Sequence, residues 1–489
     1  MSSLLLIAHV LLFAGVLIYA CRNRFARITT TTLPIAIGFI YISVVQAVDA
    51  IRRPSDVITE ESVASGLLVS AISFAAFLAG YFIAGDLIRA RRIFPQYSRR
   101  KLLAVTAGLI GIGAAGQVIV VQTLGGWTAF LGFQKANVNQ YEVLSAYLYN
   151  LPNFLFAAFA VLSVAALADR QSKSLYLVTL AMGLVLVLRA IALTDRGDLI
   201  RSMLPLAALL TSAPAGLRRK AKIWSAGKIV AAGAVALVAL GVLVLPFFRD
   251  TGRSILTSNV SFDEAIEGVL SMGASSRFSA RGGEFDSAVR LVQQVQTDYI
   301  SPPGPIHLAH VIWGFVPRHL VPEKHELFAN WAGEDYEKIL LSASYPGCAL
   351  TGWGEAYAYL GFVGSMIYWM LLGAAGRWFE SLYPDPHTLK IASATAFLPM
   401  TQFVVMGLWA GIMNTLYAVL PFCLALRFAT TKSSRRLLRA YRRMSAFAPL
   451  PHGTVGPWRG PAGVPYARNL AAESTRQSQV PGTRSFEIQ

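Results

Sequence analysis

The side chains best suited to chemistry are arginines, histidines and a carboxylate, set in the segment 249–350 and at its two flanks. Inside that segment runs Arg277-Phe-Ser-Ala-Arg281-Gly-Gly-Glu284, where Gly282 and Gly283 let backbone N–H groups approach an anion. Further on, Pro317 and Pro322 fix a rigid turn that presents Arg318, His319, Lys324 and His325. A guanidinium bonds phosphate oxygens in pairs and keeps its charge. An imidazole takes up or releases a proton near neutrality. Together these groups suit a cationic cradle for a phosphate-bearing headgroup with an acid or base beside it. Each histidine alone also reads as an ordinary surface residue, and the Arg281 turn as a solvated one.

The flanks add to this set. Arg189 falls inside an apolar run, where an arginine costs at least about 2.5–3.5 kcal/mol to insert. Arg196 follows seven positions later, which on one helix places it on the same face. Asp195, Asp198 and Arg201 crowd the same stretch, so local ion pairing competes with an anion site. Downstream lies Gly352-Trp353-Gly354-Glu355-Ala-Tyr357-Ala-Tyr359-Leu-Gly361. Glu355 at a helix start is either a partner of the helix dipole or a base at the membrane surface. Trp353, Tyr357 and Tyr359 read as an interfacial aromatic belt or as faces for stacking sugar rings.

These residues must be positioned by membrane-spanning helices. The chain has 489 residues, 55% of them hydrophobic and 14% charged, where a soluble domain would carry about a quarter charged. Apolar runs long enough to cross a bilayer as helix recur, and the alternation of a barrel is absent. The expected class is an all-α polytopic membrane protein of about eleven helices, an estimate from span length and loop charge. Residues 1–248 supply helices one to eight and 249–350 a large extracytoplasmic loop. Residues 351–429 supply helices nine to eleven, and 430–489 form a basic, mostly disordered cytoplasmic tail. The ninth helix is expected from Trp353 to Gly376, and the tenth and eleventh split near Met406-Gly407. Ser287 to Gln296 is amphipathic and is expected along the membrane surface. Glycines 108, 111, 113 and 116, and 361, 364, 373 and 376, are read as helix-packing positions.

The net charge of +17 sits mostly in short loops and the tail, as membrane topology requires, which argues against nucleic acid as a partner. The same bias puts the N-terminus outside and the C-terminus in the cytoplasm. Arg22, Arg24 and Arg27 follow the first apolar run rather than precede it, so that run reads as a retained helix. No Cys/His spacing resembles a zinc site, and neither a metal nor another cofactor is expected. No inverted repeat is visible, which disfavours the commonest transporter architectures.

The order of these pieces resembles the bacterial oligosaccharide repeat-unit polymerases, the Wzy-type O-antigen polymerases. The resemblance rests on Asp195-Arg196-Gly197, on Arg281-Gly282, on Pro317-Arg318 with Pro322 and Lys324, and on Glu355, Tyr359 and Gly361. It implies a GT-C-like, metal-independent glycosyltransferase in the bacterial inner membrane. That enzyme would join oligosaccharide units carried on undecaprenyl pyrophosphate, for O-antigen, exopolysaccharide or capsule. Under it, Arg189, Arg196, Arg281 and Arg318 hold pyrophosphate, and Glu355, His325 or His319 deprotonates the acceptor hydroxyl. Trp353, Tyr357 and Tyr359 contact sugar. Partners would be the lipid-linked oligosaccharide, membrane lipids, and a chain-length regulator and flippase. The rivals are a lipid-linked glycan ligase and, from another class, a lipid-glycan flippase or transporter.

Overall fold

The structure is a computed structural model describing residues 1–22, 31–52, 58–87, 96–127, 130, 148, 150–168, 172–192, 196–212, 283–304, 321, 323, 335, 338–339, 349–383 and 385–431. The expected eighth helix, the tail from 432, and Arg281, Arg318, His319 and His325 lie outside the described residues. The described residues belong to one compact unit, Met1–Leu438.

Among them the chain is helical, with no strand. The helices are α1 (Ser2–Arg22), α2 (Thr32–Ile40), α3 (Ala47–Arg52), α4 (Glu60–Leu87), α5 (Arg99–Thr123), α6 (Phe154–Ala168) and α7 (Lys173–Ala192). They continue with α8 (Arg196–Thr211), α9 (Gly283–Gln296), α10 (Gly352–Ser381), α11 (Pro386–Val405), α12 (Leu408–Asn414) and α13 (Leu420–Ala429). A π-helical segment, Tyr41–Gln46, joins α2 to α3, and another, Thr415–Val419, joins α12 to α13. Seven of these stretches are long and apolar enough to cross a membrane, and Ser2–Ile18 is a shorter apolar helix. Large apolar side chains stand exposed along them: Leu177, Leu184 and Leu188 on α7, Val363, Ile367 and Leu371 on α10. Apolar surface of that extent suits contact with lipid rather than water.

Two of the long runs double back. Gly361 inside α10 has φ 67° and ψ −172°, a left-handed conformation that glycine adopts without a Cβ penalty. Gly352 and Trp369 would stand about 25 Å apart on a straight helix, yet the Trp369 ring packs against Gly352. The expected ninth helix is therefore corrected. Gly352–Leu360 is a half-helix folded back on Phe362–Ser381, because the turn at Gly361 needs no linker. The break expected at Met406-Gly407 is present: Gly407 has φ 90°, and Phe403 on α11 meets Gly411 on α12. Gly352 also rests on the Phe403 backbone carbonyl, so the start of the half-helix packs beside the Met406-Gly407 turn.

The expected amphipathic segment is a helix, α9, that starts four residues earlier, at Gly283. Its apolar face lies on protein rather than on the membrane. Phe285 meets the Trp353 ring at 6.0 Å, and Val289 fills the space beside Gly66 of α4. Gln46, the last residue of the first π-helical segment, accepts from Phe285 N at 3.0 Å and donates to Glu284 Oε2 at 3.0 Å. One side chain thus caps the start of α9 and fixes it to the helices. Of the glycines read as packing positions, Gly113 and Gly116 take up Leu155 and Leu151, and Gly373 and Gly376 take up α4 and Thr31. Gly108 and Gly111 have open space beside them.

Candidate functional site

The site grows from Arg189 in the last turn of α7 and Asp198 in the first turn of α8. Arg189 Nη1 donates to Asp198 Oδ2 at 2.7 Å, and Arg201 Nη1 donates to Asp198 Oδ1 at 3.1 Å. Arg189 Nε also donates to Gln117 Oε1 of α5 at 3.0 Å. Arg201 Nη1 reaches Asn153 Oδ1, just before α6, at 2.9 Å, and Arg201 Nη2 donates to Asn414 Oδ1 at the end of α12. The Phe156 ring lies 5.8 Å from both guanidinium carbons, within the range of cation–π attraction.

This network is out of balance. Asp198 is 6% exposed and Arg201 8%, so water screens them little. Among the described residues, two guanidinium groups face one carboxylate, one positive charge in excess. Among the same residues, two buried donor groups, Arg201 Nε and Gln117 Nε2, have no acceptor. A buried donor left empty costs about 1–3 kcal/mol. An anion entering the cluster would relieve both costs.

Arg189 and Arg196 do not share a helix face as the spacing suggested. α7 ends at Ala192 and α8 begins at Arg196, so the two residues belong to different helices. The pairing is also wider than a local one, because Asp198 is shared between two helices. Gln117, Asn153, Asn414 and Arg201 complete the cluster and were not singled out as site residues. The available signal was polarity: Gln117 and Asn414 interrupt apolar helices, where such residues usually meet a partner.

Glu355 stands in the first turn of the half-helix, partly buried. Its Oε2 accepts from Leu408 N at 2.7 Å, which caps the start of α12. The carboxylate occupies the space that a Cβ on Gly407 would need, so the turn and the acid fit each other. Leu408 and Asn414 are the two ends of α12, about 9 Å apart at helical rise. Glu355 and the arginine cluster therefore sit at opposite ends of one short helix.

The aromatic residues are elsewhere. Trp353 is fully buried against Phe285 and Gly66, Tyr359 is buried with Leu291 and Ile300, and Tyr357 is buried in the core. Their faces are covered by protein, which corrects the expectation that they stack on sugar. Arg196 opens α8, and its side chain lies outside the described residues.

A second buried ionic group lies at the far end of α10. Glu380 Oε1 accepts from Thr31 Oγ1 at 2.8 Å, while Oε2 accepts from Tyr81 Oη at 2.6 Å and Arg377 Nη1 at 3.2 Å. Here one cation meets one anion, and both carboxylate oxygens are filled.

Comparison of the chain with protein-family models, with curated proteins and with solved structures gives no match.

Proposed function

We propose that this protein is a glycosyltransferase that polymerises undecaprenyl-pyrophosphate-linked oligosaccharide units at the outer face of a bacterial inner membrane. The observation that carries the reading is the donor surplus at Arg189, Arg201 and Gln117: among the described residues, a buried cluster with two guanidinium groups to one carboxylate and two unfilled N–H groups. The motif order in the sequence supplies the rest. In this reading the chain is a GT-C-like bundle of eleven spans with the N-terminus outside and the C-terminus in the cytoplasm. The basic side chains Arg99, Arg100, Lys101 and Arg427 then lie on the cytoplasmic side.

The chemistry is a displacement at the anomeric carbon. An acceptor hydroxyl oxygen forms the new glycosidic bond, and the bond from that carbon to pyrophosphate breaks. The pyrophosphate leaves with the electron pair. Arg189 and Arg201, joined by Arg196, Arg281 and Arg318, stabilise the charge that develops on it. The acceptor proton passes to Glu355, whose Oε1 is not used by the Leu408 cap, or to His319 or His325. The test is purified protein in liposomes given a lipid-pyrophosphate oligosaccharide and no ion gradient. Longer glycans should form in the wild type and fail in Arg189→Ala. Absence of any extension with native protein would overturn the reading.

A second reading, lipid-glycan transport, is favoured by one observation. The helices are broken at Gly361 and Met406-Gly407 and distorted at Tyr41–Gln46 and Thr415–Val419, as in transporters that bind cargo at helix interruptions. Gradient-dependent movement of the same lipid across the liposome membrane, without extension, would select it.

A further inference from the structure

α12 has a feature that neither the arginines nor Glu355 explains alone. Its first amide and its last residue are each bonded to a side chain of the candidate site. At its start, Gly407 offers no side chain, and the Glu355 carboxylate receives Leu408 N instead. At its finish, Asn414 uses both halves of its amide. Its Nδ2 donates back to Ala410 O at 2.8 Å, and its Oδ1 accepts from Arg201. Directly after Asn414 the helix widens into the π-helical segment Thr415–Val419. A π turn departs from the regular i to i−4 ladder and often marks a functional position in a helix. The short helix thus lies between a turn at Gly407 and a widened turn at Thr415, joined to the rest of the site by one side chain at each end.

We propose that Asn414 is a positioning residue for Glu355: through α12 it ties the placement of the Glu355 carboxylate to the state of the arginine cluster. An anion drawn to Arg201 competes with Asn414 for the same guanidinium. Loosening that bond removes the side-chain hold on Asn414, and a shift of the helix there reaches Leu408 N and the carboxylate bound to it. Anion binding at the arginines and release of Glu355 from its cap then become linked, and linkage acts equally in both directions. The importance of this tie for catalysis rests on the transferase reading, whereas the tie itself does not.

Hydrogen exchange of the Leu408 amide, measured on the full-length protein in lipid nanodiscs, reads the tie directly. Asn414→Leu removes the acceptor for Arg201 and should speed exchange at Leu408 by about 5-fold or more, the lower bound of ordinary coupling between sites. Asn414→Asp keeps the acceptor and should leave Leu408 near its wild-type rate. If Asn414→Leu does not fold, Asn414→Ala withdraws the acceptor without added bulk and carries the same expectation. A Leu408 amide indifferent to Asn414→Leu or Asn414→Ala, or equally affected by Asn414→Asp, overturns the proposal. In the glycan-extension assay Asn414→Leu should lower kcat with little change in KM. Protein that never extends glycan but keeps the Leu408 response sinks the transferase reading and leaves the tie. Protein that extends glycan while Leu408 ignores residue 414 does the reverse.

Discussion

The two buried ionic groups use similar residue types to opposite ends. At Glu380, one carboxylate meets Arg377, Tyr81 and Thr31, and both of its oxygens are filled. At Asp198, one carboxylate meets Arg189 and Arg201, and donors remain on Arg201 and Gln117 with nothing to bind. The first group is complete and holds α4, α10 and the start of α2 together. The second has more donors than acceptors among the described residues, which makes it the less complete fastening. Both carboxylates are buried, but Asp198 meets two arginines where Glu380 meets one, so the number of donors per acceptor is what distinguishes the two groups.

That contrast can be broken at several points. Glu380→Ala leaves Arg377 without its counter-charge and should cost about 3–5 kcal/mol of stability, read by thermal unfolding in detergent. The protein that remains folded should extend glycan at the wild-type rate; a selective loss of activity would make the Glu380 group part of the site. Arg201→Ala should lower the extension rate about 10²–10³-fold, the usual loss when one charge stabiliser is removed. An unaltered rate would reduce the Asp198 group to a second fastening. Gln117→Glu removes the unfilled amide donor and makes the bond from Arg189 charge-assisted, which should raise the unfolding midpoint, a gain of about 1.5 kcal/mol. The same change should depress extension, because the introduced carboxylate occupies the place meant for the anion. Tyr81→Phe removes one of several donors to Glu380 and should cost only about 1 kcal/mol, with extension unchanged.

Much of the helical layout could be read from the sequence, because long apolar runs between charged turns leave the chain few alternatives in lipid. The break at Met406-Gly407 was readable for the same reason: one run was too long for one span and too basic afterwards for the other topology. The reversal at Gly361 was not. A glycine in an apolar helix suits close packing as well as a turn, and only its backbone angle distinguishes the two. Trp353 and Tyr359 misled in a related way, since buried aromatics and interfacial ones have the same composition. Arg189 stood out because its charge is costly in an apolar run. Its partners Gln117 and Asn414 did not, since a neutral amide in a helix carries a much weaker warning. The division between Arg189 and Arg196 depended on where α7 ends, and helix ends are what spacing specifies least.

The grip of Gln46 on the start of α9 depends on counting. Each residue advances a helix by about 100°. Deleting one residue within Tyr41–Gln46 would let that stretch relax into a regular helix, turning everything before the deletion relative to everything after it. Gln46 and Ser43, which now contact α9 and Ser70, could then no longer both keep their directions. The long apolar helices would survive such a deletion, while α9 would lose its mooring.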